Sequence, residues 1–190
     1  MIAVIGKIGV GKTTFLSEIK KMGYKVFNSD EFIKSEYKTD GLLYKAIKKE
    51  FGTLLLDEFG VNKEKIRQWI KDDIKNLDLL EKCIYPIIFD HLNTYCYDFA
   101  EVPNLTTKNG NFAKLFKIVL CLETSEKNQV KNLKKRNVNK LTIRLLNAKN
   151  DPKLIKNQLF KEKIIVDIYG QNFKNWARNK KFLECLFSLL

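Results

Sequence analysis

The chain has 190 residues, 45% of them hydrophobic and 30% charged, enough for one α/β domain with a small insertion and little more. No apolar run approaches the roughly 20 residues that span a bilayer, and four scattered cysteines (Cys83, Cys96, Cys121, Cys185) beside a single histidine, His91, argue against a zinc site or a disulfide framework. The net charge of +13 fits either a nucleic-acid surface or Lys-rich solvated helix faces that partly serve a small polyanionic substrate; the dispersed lysines, whose densest run is Lys131, Lys134, Lys135 and Arg136, favour the second.

The first residues carry no basic leader ahead of an apolar stretch, so Ile2 to Ile5 are expected to form a buried strand, and the protein to be cytoplasmic with reduced cysteines. A glycine-rich loop follows. Phe15, Leu16 and Ile19 then recur at helical spacing from Lys12 to Met22, with Gly23 closing the helix. Tyr24 to Phe27 predicts a second strand with Asn28-Ser29-Asp30 at its C-terminal end. Strand, loop, helix and strand make one βαβ unit, which requires a parallel sheet.

Asp30 to Glu50 is expected to be helical, with a break near Thr39-Asp40-Gly41. One long helix is expected from Val61 to about His91, because Ile66, Trp69, Ile70, Ile74, Leu77, Leu80 and Ile84 share a face; Pro86 should break or kink it. Phe99 to Val102 predicts a short strand, and Thr106 to Gly110 a polar loop. Phe116 to Leu122 is the most continuous apolar run and predicts an interior strand. Thr124 or Ser125 can cap a helix over Glu126 to Lys135. A further helix at about Lys140 to Lys149, a last strand at Ile164 to Ile168 and a closing amphipathic helix from Phe173 to Leu190 complete the pattern.

Chemistry enters at Gly6-Lys7-Ile8-Gly9-Val10-Gly11-Lys12-Thr13, which fits G-x-x-x-x-G-K-[ST] between a strand and a helix. Backbone N–H groups from Gly9 onward can converge on phosphate oxygens at the positive end of the helix. Gly9 and Gly11 let the backbone come close, Lys12 suits the β- and γ-phosphates, and the Thr13 hydroxyl suits Mg²⁺. Asp30, at the sheet edge where the loop also opens, can accept a proton from an attacking hydroxyl or help position Mg²⁺; the other reading is an N-cap of the next helix. Arg136, followed by Arg144, offers cations that could close over a transferring phosphoryl group.

Taken together, these segments resemble the dephospho-coenzyme A kinase family over roughly residues 1–170. Gly6 to Thr14 resembles its G-G-I-G-S-G-K-S-T loop. Gly23 to Asp30 resembles G-x-x-V-I-D-A-D, whose final aspartate is the proposed base, and Phe51-Gly52 matches a phenylalanine–glycine pair. Leu80-Glu81 through Tyr85-Pro86 resembles L-E-x-I-x-H-P of the acceptor region, Val102-Pro103-x-Leu105 resembles V-P-L-L, and Gln129 with Arg136 fits the Q-x-x-R-x-x-x-R lid helix. The chain departs from that pattern with Asn28 for the first aspartate, Tyr85 for histidine, Asn104 and Thr107 within P-L-L-x-E, Asn132 for the first lid arginine, and Ile168 for an asparagine beyond Asp167.

The resemblance implies a P-loop NTPase-type, three-layer α/β/α fold with a parallel five-stranded sheet. Its core would cover about 1–58, 96–124 and 160–190, with a helical acceptor-binding insertion at about 60–95 and a lid at about 125–152. It also implies transfer from ATP, with Mg²⁺, to the 3′-hydroxyl of dephospho-coenzyme A. Gly6, Ile8, Gly9, Val10, Gly11, Lys12, Thr13, Thr14, Arg136 and Arg144 would bind ATP; Asp30, Leu80, Tyr85 and Pro86 the acceptor; Thr13 the metal. Asp30, Lys12 and Arg136 would carry catalysis. A nucleoside or nucleotide kinase, a degenerate nucleotide-binding paralogue and a nucleic-acid-binding P-loop protein are the alternatives. Neither membrane nor nucleic acid is expected as a partner, and oligomeric state is left open.

Overall fold

The computed structural model describes residues 1–134 and 152–190. Its described residues divide into two compact units. The first comprises Met1–Phe27, Cys96–Leu105 and the described part of Phe112–Leu190; the second comprises Asn28–Tyr95 and Thr106–Asn111. The second unit begins at Asn28, includes the 60–95 stretch and takes in a later segment as well. No helix among the described residues is long and apolar enough to cross a membrane.

The first unit is organised by a parallel sheet, five-stranded among the described residues, with strand order β2-β5-β1-β8-β9 and flanking helices. Its centre is β1 (Ile2–Ile5), paired with β8 (Ile118–Glu123) from Ile2↔Ile118 to Ile5↔Cys121 and with β5 (Phe99–Glu101) from Ile2↔Phe99. Every residue of β1, and all of β8 before Glu123, is buried. Burial on both faces is the physical reason these segments are continuous apolar runs and not alternating ones. The outer strands, β2 (Val26–Asn28) and β9 (Ile164–Tyr169), are only partly buried. Helix α1 (Lys12–Lys21) buries Phe15, Leu16 and Ile19 in this core, with Phe15 edge-on to Phe99 at 6.1 Å between ring centres.

In the second unit, α2 (Ser29–Glu36) and α3 (Leu42–Phe51) lead into a small antiparallel hairpin of β3 (Leu56–Asp57) and β4 (Gly60–Val61). The expected single helix over 61–91 is two, α4 (Lys63–Asp72) and α5 (Lys75–Thr94). Asp73 breaks it: its backbone is extended and its carboxylate accepts from Lys75 N at 2.8 Å, while Asn76 Nδ2 donates to Trp69 O at 2.7 Å. A short polar side chain here competes with the helical ladder and wins. Pro86, by contrast, does not end α5. Its missing donor costs one helical bond at an exposed position, while Leu80, Ile84, Tyr85, Ile88 and Leu92 are buried on both sides of it. The polar 106–110 loop is in fact a hairpin, β6 (Thr106–Thr107) against β7 (Gly110–Asn111).

Toward the C-terminus come α6 (Glu126–Lys134) and α7 (Pro152–Leu159). The closing helix is split into α8 (Lys174–Arg178) and α9 (Lys180–Ser188) by Asn179, whose side chain caps the second piece at Phe182 N, 3.1 Å. The expected helix at 140–149, most of the lid at 125–152, and with them Arg136 and Arg144, lie outside the described residues.

Candidate active site

Three helices begin in instructive ways. Asn28 caps α2, its Oδ1 accepting from Asp30 N at 2.9 Å and Glu31 N at 3.1 Å, and Asn62 caps α4 likewise at Glu64 N and Lys65 N. The cap that Asp30 could have supplied is thus made by Asn28, and Asp30 stands exposed in the first turn of α2. Helix α1 starts on Gly11, with no side-chain cap. Its first-turn N–H groups carry the positive end of the helix dipole, so the chain presents an anion-receptive helix start where the phosphate loop ends.

The loop itself depends on glycine. Gly9 (φ 78°) and Gly11 (φ 119°) occupy left-handed backbone regions that β-carbons disfavour. A Cβ on Gly9 would come within 2.8 Å of Leu133 Cγ, and one on Gly11 within 3.1 Å of Phe173 Cδ2. The loop is packed tightly from α6 on one side and from the segment after β9 on the other.

Lys12, at the start of α1, folds back over the loop. Its Nζ donates to Gly6 O at 2.7 Å and lies 3.5 Å from Glu101 Oε1, with both side chains largely covered. Thr13 and Thr14 are exposed beside it. Glu101, at the end of β5, was not singled out from the sequence. The signal was available: a carboxylate closing the short apolar run Phe99-Ala100, just before Val102-Pro103, in a strand adjacent to β1.

Helix α6 grips the outside of the loop. Gln129 Nε2 donates to Ile8 O and Asn132 Nδ2 to Gly9 O, each at 2.8 Å. A small cleft of about 90 Å³ opens beside these contacts, lined among others by Lys7, Val10, Glu123, Gln129 and Lys153. Lys156 of α7 bridges Glu123 at 2.8 Å and Asp167 at 3.0 Å. Burial opposes its charge, but the two carboxylates prevail and hold its pKa above the usual lysine range. Cys121 joins them, its thiol pushed up to about 12, chiefly by burial. These carboxylates and Cys121 have metal-type donor atoms within 4.8 Å of one another, yet the Lys156 ammonium already supplies a cation there.

In the second unit, Leu80 and Tyr85 face inward, at 5% and 6% exposure, while Pro86 lies on the surface. Leu80 and Tyr85 thus line the interior of the expected acceptor region, and Pro86 its surface. Tyr85 Oη donates to Glu81 Oε1 at 3.2 Å; burial, then the Glu81 charge, pushes its hydroxyl above the usual tyrosine range. Asn109, in the β6–β7 turn, donates to Asp78 at 2.6 Å and to Glu81 at 3.1 Å, and Lys108 pairs with Asp78 at 2.7 Å. Lys108 and then Asn109 hold the Asp78 carboxyl well below the usual carboxylate range. This network ties the hairpin to α5, so Thr107, where an expected glutamate is missing, sits in a segment anchored by other residues.

A parallel sheet whose first strand runs into this glycine loop, an uncapped helix and a lysine folded over the loop define a P-loop NTPase-type fold. The sequence profile described as dephospho-CoA kinase matches residues 1–162, and the chain belongs to that family. The dephospho-CoA kinase of Mycoplasma pneumoniae is 29% identical over 148 residues, covering 73% of this chain and 72% of that protein. Among solved structures, the protein TT1252 of Thermus thermophilus superposes with a TM-score of 0.69 at 17% identity, covering 100% of this chain and 96% of that one. A dephospho-CoA kinase from Campylobacter jejuni gives 0.58 at 18% identity, covering 100% and 98%.

Proposed function

We propose that this chain transfers the γ-phosphoryl group of ATP to the 3′-hydroxyl of dephospho-coenzyme A, giving coenzyme A and ADP, the final step of coenzyme A synthesis. The family match over residues 1–162 carries the reading, and the phosphate loop supplies its chemistry. Gly9, Gly11 and the first turn of α1 offer N–H groups to the ATP phosphates, with Lys12 as the mobile cation: it leaves the Gly6 carbonyl for a phosphate oxygen. Thr13 and Glu101 provide a hydroxyl and a carboxylate, hard oxygen donors of the kind Mg²⁺ takes, and would hold the ion. When bound, Mg²⁺ neutralises phosphate charge. Asp30 accepts the proton of the acceptor hydroxyl or orients it, the second unit binds the acceptor, and Arg136 and Arg144 complete the charge stabilisation. The reaction takes place in the cytoplasm.

The test is direct. Incubation with ATP, Mg²⁺ and dephospho-coenzyme A should yield coenzyme A, identified by mass, together with ADP. Phosphorylation of nucleoside monophosphates in place of dephospho-coenzyme A would instead establish a nucleotide kinase.

A further inference from the structure

The phosphate loop buys its close backbone approach with glycine, and glycine leaves a peptide free to rotate. Something must aim the N–H groups before the anion arrives, because a donor that has to be ordered on binding costs affinity. The structure supplies that ordering from α6. Gln129 Nε2 holds the carbonyl of Ile8, and Asn132 Nδ2 holds the carbonyl of Gly9, both at 2.8 Å. A trans peptide is planar, so fixing a carbonyl fixes the next residue's N–H pointing the opposite way. The bond from Gln129 therefore directs the Gly9 N–H away from α6. The peptide held by Asn132 is fixed at its other end as well, since Val10 N donates to Lys7 O at 3.2 Å.

The helix delivering these amides is itself anchored. Gln129 N donates to Ser125 O at 3.0 Å, and buried Leu133 fills the space where Gly9 lacks a Cβ. We propose that Gln129 and Asn132 are positioning residues of the donor site: Gln129 turns the Ile8 carbonyl toward α6 and so aims the Gly9 N–H at the ATP phosphates, while Asn132 locks the peptide that follows, so that Gly9 is held from both sides. The inference rests on reading the loop as the ATP site. It gives Asn132, which stands where the resemblance expects an arginine, a neutral role on the loop backbone in place of a charge on the phosphates.

The experiment replaces each amide with an apolar side chain of similar size and fair helix propensity, Gln129→Met and Asn132→Leu, which removes the donor without adding charge. Dissociation constants for ADP, and KM for ATP and for dephospho-coenzyme A, are measured beside melting temperatures, with Lys12→Ala as a control. The expected result is a rise of about tenfold or more in the ADP dissociation constant and ATP KM of both variants, with the acceptor KM within twofold. Nucleotide affinity within twofold of the parent in both variants overturns the proposal, provided Lys12→Ala has lost it. Parallel worsening of both substrates' KM, tracking a lower melting temperature, also overturns it, because that marks mere support of the fold. If Lys12→Ala leaves ADP binding intact, the loop is not the donor site, and the underlying reading fails instead.

Discussion

The ammonium of Lys12 lies 3.5 Å from the carboxylate of Glu101, joining the first turn of α1 to the end of β5. The pair holds the lysine close to the loop and sets a carboxylate beside the proposed phosphate site. Two substitutions separate their roles. Lys12→Ala should lower kcat by about 10²–10³, the scale for loss of one preorganised group that stabilises transition-state charge. Glu101→Gln should raise the Mg²⁺ concentration for half-maximal rate by about tenfold, as loss of a metal-orienting carboxylate does. A Mg²⁺ titration of initial rates checks both, and an unchanged midpoint would remove Glu101 from the metal's surroundings.

Asp30 stands exposed in the first turn of α2, and the capping that could have occupied it is done by Asn28. Asp30→Asn should therefore leave α2 and ATP affinity nearly intact while lowering turnover by about 10²–10⁴, the range for loss of a general base. Steady-state kinetics beside ADP binding decide it. Near-full turnover would take Asp30 out of the mechanism.

Tyr85 is buried, and its hydroxyl ends on Glu81, which Asn109 also engages. Tyr85→Phe should cost about 0.5–1.5 kcal/mol, the net value of one hydrogen bond, seen as a melting temperature lower by a few degrees. The KM for dephospho-coenzyme A should stay within twofold. A large rise would mean that the ring reaches the acceptor after all.

The Asp78 carboxylate binds Lys108, Asn109 and Lys82, and its pKa in the folded chain is depressed below the ordinary 3.8. A depressed carboxyl contributes stability that is present above its unfolded pKa and lost as pH falls through the folded value. Asp78→Asn should accordingly melt below the parent by a constant margin from pH 7 down to about pH 5. The margin should begin to shrink below about pH 4, where Asp78 of the unfolded parent starts to protonate, and should vanish only as pH falls through the depressed folded value. Melting curves across pH 2–7 test this, and a margin that stays constant from pH 5 down to pH 2 would assign the effect to packing.

Much of the donor half was legible in the sequence because its constraints are local. Burial on both faces makes β1 and β8 continuous apolar runs, and the loop's glycines sit where the backbone must turn and approach closely. What escaped was settled by competition between local and tertiary terms. Pro86 argued for a break, but the buried residues flanking it hold α5 together. Asp73 carried the real break, through a carboxylate whose capping bond looks like an ordinary surface charge in sequence. Glu101 acquires its place only when β5 pairs beside β1, across nearly a hundred residues of chain. The bonds from Gln129 and Asn132 to the loop are equally non-local, so Asn132 could be seen in sequence only as a lost arginine.

The pairing of Ile2 with Phe99 and Ile118 has a consequence for biogenesis. During synthesis the first strand leaves the ribosome long before either neighbour exists, and everything from Asn28 to Tyr95 must follow before β5 arrives. Until then β1 is an apolar segment with two unpaired edges, the kind of surface that recruits aggregation or chaperones. The glycine loop follows β1 directly, yet it lacks the helix that holds its carbonyls until α6 has been translated. Of these segments, the one made first is among the last to become functional.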